Sequence, residues 1–127
     1  MSILRFDPFR EFSIESAWLP PVDIYETESH DFVLKAELPD MAREHIKVTV
    51  DNNTLTVRGS KKLAGDIKED QYRRIERSYG TFSRSFALPN TVDASKVSAE
   101  YRNGVLTVKL PFRQDATPRT INVEVAA

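Results

Sequence analysis

Hydrophobic and polar residues alternate along most of this chain, from Val22 to Pro111. Such alternation is typical of half-buried β-strands, because successive side chains of a strand point to opposite faces of the sheet. Pro39, Pro89 and Pro111 each end an alternating segment, where a missing N–H does not interrupt strand pairing. The pattern predicts an all-β chain of short strands that pack as an antiparallel sandwich, with no long helix.

The strongest local signal is the pair Asn103 and Gly104. Both central residues of a two-residue type I′ turn have positive φ, which asparagine and glycine accept more readily than other residues. The segments on either side of the pair alternate strictly. We therefore predict a β-hairpin with one apolar face, formed by Val97, Ala99 and Tyr101 before the turn and by Leu106, Val108 and Leu110 after it.

Residues 1–19 form an aromatic-rich arm ahead of the alternating region. Pro20 and Pro21 follow the arm and exclude a helix there, so they mark a boundary. Phe9 and Phe12 are three residues apart, the spacing of a short amphipathic helix. An arm of this length cannot build its own core, so its large side chains either bind another surface or pack on the sandwich; they are Phe6, Phe9, Phe12 and Trp18.

Two polar segments interrupt or follow the strands. Residues 60–71 are charged and long for a hairpin connection, which indicates either a functional loop or a solvated excursion. Residues 113–127 are polar until Ile121 and Val123, which lie two positions apart and therefore on one side of an extended chain. Two such side chains suit docking in a groove of another subunit, and the alternative is a last strand of the same domain.

Composition argues against several classes of function. The chain has no cysteine, so it has no disulfide framework and no thiol nucleophile. Its net charge of −1, with 29% charged residues, is unlike that of a dedicated nucleic-acid-binding protein. His30 and His45 flank acidic residues in loops, and no set of residues forms a catalytic, metal-binding or phosphate-binding motif. We expect a protein that is not an enzyme and that binds no cofactor, small-molecule substrate or nucleic acid.

The sequence also carries expectations about location. The first residues lack the basic segment and the long apolar run of a signal peptide. No stretch approaches the roughly 20 apolar residues that a transmembrane helix needs. We therefore expect a cytoplasmic protein that does not span a membrane.

Several segments, in the right order, resemble the α-crystallin domain of small heat-shock proteins of the bacterial and plant type. The resemblance runs from about residue 20 to residue 123 and implies three regions: an arm at 1–19, an immunoglobulin-like β-sandwich at 20–112, and a C-terminal extension with an Ile-x-Val motif at 113–127. The matching segments are residues 21–26, 38–39, 72–82, the Asn-Gly hairpin at 99–111, and 121–123.

The resemblance implies homodimers built by strand exchange and larger homo-oligomers built through the tails. In this family type, a strand in the long loop pairs with the partner's first core strand, and its counterparts here are Tyr72, Arg73, Arg74 and Ile75. Arg84 matches the family's interface arginine. The tail motif, Ile121 and Val123, docks between two edge strands of another dimer; the expected groove residues are Ile46, Val48, Val50, Val97 and Ala99.

Arg84 also invites an interpretation from its own surroundings. It shares the parity of Phe82 and Phe86, so it lies on an otherwise apolar face. A guanidinium group there must find a carbonyl or carboxylate, or lie at an interface. The alternative is an arginine near the sheet edge whose head group reaches water.

The same resemblance implies an ATP-independent chaperone that binds partly unfolded proteins and prevents their aggregation. The client-binding residues are then expected in the arm, at Phe6, Phe9, Phe12 and Trp18. One alternative is a β-sandwich co-chaperone of an ATP-driven chaperone; such relatives typically carry an acidic tail, and the tail motif and long loop argue against this class. A second alternative is an enzyme or ligand-binding sandwich, against which the lack of a polar constellation argues.

Overall fold

Strands are the main regular structure of the sandwich region. The computed structural model describes residue 9, the backbone of residues 11–14, residues 18–114 and residues 121–126. Short 3₁₀ turns lie at Arg43–His45, Glu69–Gln71 and Ala94–Lys96. The strands are β1 Glu11–Ile14, β2 Val22–Glu26, β3 Phe32–Glu37, β4 Ile46–Asp51, β5 Thr54–Lys61, β6 Gly80–Ala87, β7 Ser98–Arg102 and β8 Val105–Leu110.

The strands form two four-stranded sheets in which all neighbours are antiparallel. One sheet has the order β1-β6-β5-β4, and the other has the order β2-β3-β8-β7. Side chains from the inner faces fill the space between the sheets, and Leu34, Leu55, Val108 and Leu110 are completely buried. The predicted all-β antiparallel sandwich is confirmed. β4 and β7 are the last strands of their sheets, so each presents an edge.

The predicted Asn-Gly hairpin is confirmed as the connection between β7 and β8. Asn103 has a φ of 53° and Gly104 a φ of 76°, and Tyr101 pairs with Leu106 across the turn. The carbonyl oxygen of Gly104 also accepts a hydrogen bond from the N–H of Leu38, at 2.8 Å. A Cβ atom at Gly104 would lie 3.2 Å from the Cα of Pro39, so both φ and space favour glycine.

The arm contributes a strand to the sandwich. The helical spacing of Phe9 and Phe12 was misleading, because Phe12 lies within β1, which pairs with β6 through Ser13 opposite Ser85. Without β1, the strand β6 would be at the edge of its sheet. Pairing with β1 satisfies the backbone N–H and C=O groups of β6 on that side. Phe9 is 3% exposed, and its ring meets the ring of Phe32 edge-on at 5.0 Å. The arm boundary at residue 19 stays a sequence prediction.

The long connection between β5 and β6, residues 62–79, contains a single 3₁₀ turn and no strand. The sequence also allows a short strand at residues 72–77, and the structure has none there. A strand satisfies its backbone through a neighbouring strand, and no described strand of this chain pairs with that segment. We call residues 62–79 the β5–β6 loop.

Candidate functional site

The edge strands β4 and β7 carry apolar side chains on their inner faces. Val48 pairs with Val57 and Ala99 pairs with Val108, and both of these partners are buried core residues. The edge side chains therefore face the core, but they lie at its open side, where Ala99 remains exposed and the others are half-buried. The residues predicted for the groove lie on or next to these two strands, and their use as one docking groove stays a prediction; they are Ile46, Val48, Val50, Val97 and Ala99.

Tyr101 connects the inner face of β7 to the residues that precede β4. Its hydroxyl group donates a hydrogen bond to the carbonyl oxygen of Leu38 and accepts one from the N–H of Met41 at 3.4 Å. A Cβ atom built at Gly59 would lie 3.0 Å from the methyl carbon of Met41, so Met41 packs over β5 at the start of β4. In the sequence, Tyr101 stands out only as one of the apolar residues of the hairpin. A hydroxyl group on an apolar face was the signal that Tyr101 forms hydrogen bonds there.

The tail presents its apolar side chains to solvent. Ile121, Val123 and Val125 are 75%, 91% and 94% exposed. Their alternation with Asn122 and Glu124 places the three on one side of an extended segment. The described tail residues are therefore not in the groove of their own chain, and docking into another subunit stays a prediction.

The root of the tail is fixed to the sandwich. The N–H of Phe112 donates to the Oδ1 atom of Asp31 at 2.7 Å, and Phe112 also forms an isolated β-bridge with Val92. The N–H of Arg113 donates to the carbonyl oxygen of Thr91 at 2.7 Å. The chain therefore leaves the sandwich in a defined direction up to Arg113.

The predicted dimer residues of the β5–β6 loop lie mostly in solvent. Tyr72 is half-buried, Ile75 is 51% exposed, and a cavity of about 510 Å³ separates them from the end of β5. Arg74 pairs with Glu76 of the same loop at 2.9 Å, and the guanidinium group of Arg73 donates to the carbonyl oxygen of Asp70. These basic groups are thus satisfied locally, and their place in a dimer interface stays a prediction.

An ion pair ties the base of this loop to its own sandwich. The Nη2 atom of Arg77 lies 2.7 Å from the Oδ2 atom of Asp40, which follows β3. This hydrogen bond lowers the pKa of the Asp40 carboxyl below its ordinary value and raises that of Arg77. Both side chains are largely exposed, so the pair orients the loop more than it stabilises the fold.

Arg84 finds a carbonyl within its own chain, as its apolar surroundings require. Its Nη1 atom donates to the carbonyl oxygen of Pro20 at 2.9 Å, and its guanidinium carbon lies 5.4 Å from the centre of the Phe86 ring. Pro20 is itself buried. Arg84 therefore holds the junction between arm and sandwich, and its role at a dimer interface stays a prediction.

The described arm aromatics pack on their own domain, which was the alternative to a free arm. Trp18 meets the ring of Phe82 at 5.2 Å and donates from Nε1 to the carbonyl oxygen of Gly80 at 3.1 Å. Lys61, only 8% exposed, places its ammonium group 5.8 Å from the centre of the Trp18 ring. Phe6 and the side chain of Phe12 lie outside the described residues. Client binding by Phe9 and Trp18 therefore requires these contacts to open.

Histidine and acidic side chains are spread over the described residues. Among them, no group of three or more histidine, cysteine, aspartate or glutamate side chains is placed to hold a metal ion. His30 and His45 are both exposed, as expected for solvated loop residues. No helix within the described ranges is long and apolar enough to cross a membrane.

Comparison with known proteins supports one family. Residues 23–125 match the model of the Hsp20/alpha crystallin family. The chain is 36% identical over 104 residues to small heat shock protein C4 of Rickettsia felis, covering 82% of this chain and 63% of that protein's length. It is 41% identical over 113 residues to the 17.6 kDa class I heat shock protein 1 of Arabidopsis thaliana, covering 84% of this chain and 72% of that protein.

A solved structure supports the same family. The crystal structure of a small heat-shock protein from Xylella fastidiosa aligns with a TM-score of 0.73 and 39% identity, covering 86% of this chain and 99% of that one. From the family match and these relatives, we conclude that the chain belongs to the Hsp20/alpha crystallin family, the small heat-shock proteins.

Proposed function

We propose that this protein is an ATP-independent chaperone that holds partly unfolded proteins and prevents their aggregation, acting as an oligomer of strand-exchanged dimers. Family membership supports a chaperone role. The observation that carries the finer proposal is that one chain has apolar side chains at the edge strands β4 and β7 and also exposes an apolar tail. Surfaces of this kind are hidden from water only by another molecule.

Tail docking explains how weak contacts build an assembly. Burial of one isoleucine or valine side chain contributes about 1.5–3 kcal/mol in transfer terms. Loss of translational and rotational freedom offsets much of this, so a single tail binds weakly and exchanges. In a closed assembly each further tail docks at a high effective concentration, so the whole is stable. The Xylella fastidiosa relative is described as having a distinct high order structure, which supports such an assembly.

A tryptophan in place of Ala99 should block the groove. Ala99 faces the core side of β7 but is exposed, so a larger side chain there fills the space for a tail rather than the core. We expect Ala99→Trp to shift the oligomer towards dimers at low micromolar concentration, with little change in melting temperature. Light scattering after size-exclusion chromatography measures the mass. Glu100→Trp, on the opposite face of the same strand, is the matched control; equal masses for both variants would count against the groove.

Replacing the β5–β6 loop should remove the dimer. Lys61 pairs with Gly80, so an Asn-Gly turn can join β5 to β6 directly in place of residues 62–79. We expect a folded monomer, because the proposed exchange strand at Tyr72 to Ile75 is gone. Sedimentation velocity measures the mass, and circular dichroism checks the sheets. A Gly-Ser replacement of residues 63–68 alone should remain dimeric; a loopless protein that is still a tight dimer would refute strand exchange.

We propose that the arm aromatics either pack on their own sandwich or bind a client, but not both at once. Phe9 and Trp18 cover core residues in the folded chain, and their release exposes apolar surface both on the arm and beneath it. A partly unfolded client presents surface of the same kind, so binding hides both from water. No nucleotide is needed in this scheme, because no step is driven through a cycle. A cytoplasmic location belongs to the same proposal.

The alternative is a β-sandwich co-chaperone that acts only beside an ATP-driven chaperone. The two are distinguished by light scattering of a heat-unfolding client mixed with the purified full-length protein alone, without nucleotide. We expect suppression of aggregation at about one subunit per client chain. Aggregation equal to that of the client alone would overturn the holdase proposal and favour the co-chaperone.

A further inference from the structure

The outer face of the part of the sheet formed by β4, β5 and β6 is polar. Alternate residues of a strand face opposite sides, so the residues between the core-facing ones point away from the core. On this face most of them are serine or threonine, as at Thr56, Ser60 and Thr81. Two others are cations, Lys47 of β4 and Arg58 of β5. The face thus combines hydroxyl groups with positive charge, and none of the functions proposed above uses it.

The two cations lie directly opposite each other. Lys47 pairs with Arg58 across β4 and β5, and Arg58 pairs with Ser83 across β5 and β6. Opposite side chains of antiparallel strands have Cβ atoms about 4.5–5.5 Å apart, and like charges at such positions destabilise the sheet. Both side chains are exposed, and none of the ion pairs among the described residues includes either of them. The pair therefore carries a repulsion that an anion bound between the two groups would remove.

An open depression of about 640 Å³ holds both cations. Ser60 and Thr81, which pair with each other across β5 and β6, also line it and lie one step along the strands from Arg58 and Ser83. Alternate residues of a strand are about 6.7 Å apart, so the hydroxyl groups of this row are within reach of a group bound at Arg58. Glu44 is the one carboxylate among the described residues that line the depression. The lining is therefore cationic and rich in hydrogen-bond donors.

These groups suit a phosphate better than a carboxylate. Arginine binds two phosphate oxygens through its planar fork, and lysine adds a second positive charge as a point. A phosphate monoester carries close to two negative charges at neutral pH, which matches the two cations, whereas a carboxylate carries one. A water molecule takes up about 30 Å³, so the depression holds a phosphate group together with much of the molecule that carries it.

We propose that this face of the sheet binds a phosphate monoester, free in solution or on a lipid headgroup, with Lys47 and Arg58 against its oxygens and Ser60 and Thr81 donating hydrogen bonds to it. The site goes beyond the chaperone activity proposed above and uses neither the arm nor the tail. The sequence contains no phosphate-binding motif, since Lys47 and Arg58 are brought together only by the pairing of β4 with β5.

The first test measures binding of inorganic phosphate to the full-length protein by equilibrium dialysis at constant ionic strength. We expect saturable binding by wild type, weakened about tenfold or more by Lys47→Gln or Arg58→Gln, since each removes a charge-assisted hydrogen bond. Lys109→Gln removes an exposed cation from the outer face of the other sheet and should change the affinity by less than about twofold. Equal affinities for Lys47→Gln and Lys109→Gln would overturn the site.

Arg58→Lys separates a defined site from general charge attraction. It keeps the charge but loses the planar fork, so binding of inorganic phosphate should weaken several-fold, and unchanged binding would overturn the proposal. Unfolding does not confuse these results. Lys47→Gln relieves a repulsion between opposite side chains, so the melting temperature without phosphate should stay equal or rise slightly.

The second test distinguishes the two sources of the phosphate group. Cosedimentation compares phosphatidylcholine vesicles with vesicles that also contain phosphatidic acid, whose headgroup is a phosphate monoester. Binding only to the second kind, lost in Lys47→Gln/Arg58→Gln and displaced by inorganic phosphate, supports a lipid headgroup. Phosphate binding in dialysis without vesicle binding supports a soluble ester. If wild type binds neither probe, or if the double variant binds the vesicles as well as wild type does, the proposal is wrong.

Discussion

Replacing Ile121 and Val123 together by alanine is expected to reduce the oligomer to dimers at low micromolar concentration. Both side chains are largely in solvent within their own chain, so the change removes no contact from the sandwich. Truncation removes about 2–4 kcal/mol of burial per docked tail, which is roughly a 30- to 1,000-fold weaker contact. Because the effect repeats at every tail of a closed assembly, the loss of mass should be abrupt.

Light scattering coupled to size-exclusion chromatography measures this mass directly. Asn122→Ala together with Glu124→Ala changes the same stretch on its other side and serves as the control. Thermal unfolding of the variant should match wild type, since the sandwich is untouched. An unchanged mass in the Ile121→Ala/Val123→Ala protein would show that contacts other than the tail hold the oligomer.

A reversible lock on the arm is expected to switch off client protection. Ser13 and Ser85 are paired across β1 and β6, and paired residues of antiparallel strands have Cα atoms within the range of a disulfide. The natural chain has no cysteine, so Ser13→Cys with Ser85→Cys introduces a single pair. When oxidised, the pair holds β1 on β6 and prevents release of Phe9 and Trp18. We expect protection of a heat-aggregating client to fall several-fold on oxidation and to return on reduction.

Two controls separate the effect of the disulfide from the effects of the substitutions themselves. Ser85 exchanges a hydrogen bond with Thr56 at 3.0 Å, so Ser85→Cys alone, with and without oxidant, controls for that loss. The oligomer mass should be equal in both redox states, which removes assembly as the cause. If the oxidised protein protects the client fully, the arm is not the client-binding segment, and the groove or another sheet edge becomes the candidate.

Short-range patterns in the sequence were sufficient to predict the sandwich and the inner faces of its strands. Alternation assigns Val48 and Ala99 to the inner faces, and the Asn103-Gly104 pair fixes the register of β7 with β8. The positions of β4 and β7 at the edges depend on the order of strands in each sheet. The family resemblance implied these edge positions, and the observed strand order agrees with them.

What the sequence did not reveal depends on contacts between distant residues. β1 forms because β6 has a free edge, and nothing near Ser13 in the sequence encodes the partner at Ser85. The burial of Phe9 against Phe32 and the hydrogen bond of Arg84 to Pro20 have the same origin. The strand suggested at residues 72–77 is the opposite case, since its pattern is present but its pairing partner is not within the described chain.

Because the root of the tail is fixed, the length of the segment that follows it limits how far the tail motif can reach from its own sandwich. Phe112 and Arg113 are bonded to Asp31 and Thr91, so every tail starts from the same point and in the same direction relative to its sandwich. From Arg113 to Ile121 the chain spans at most about 27 Å when extended. For the docking proposed above, the acceptor site on a neighbouring sandwich must lie inside a sphere of that radius. We therefore expect residues added to or removed from this linker to change the number of subunits in the proposed assembly, while each docking contact stays the same.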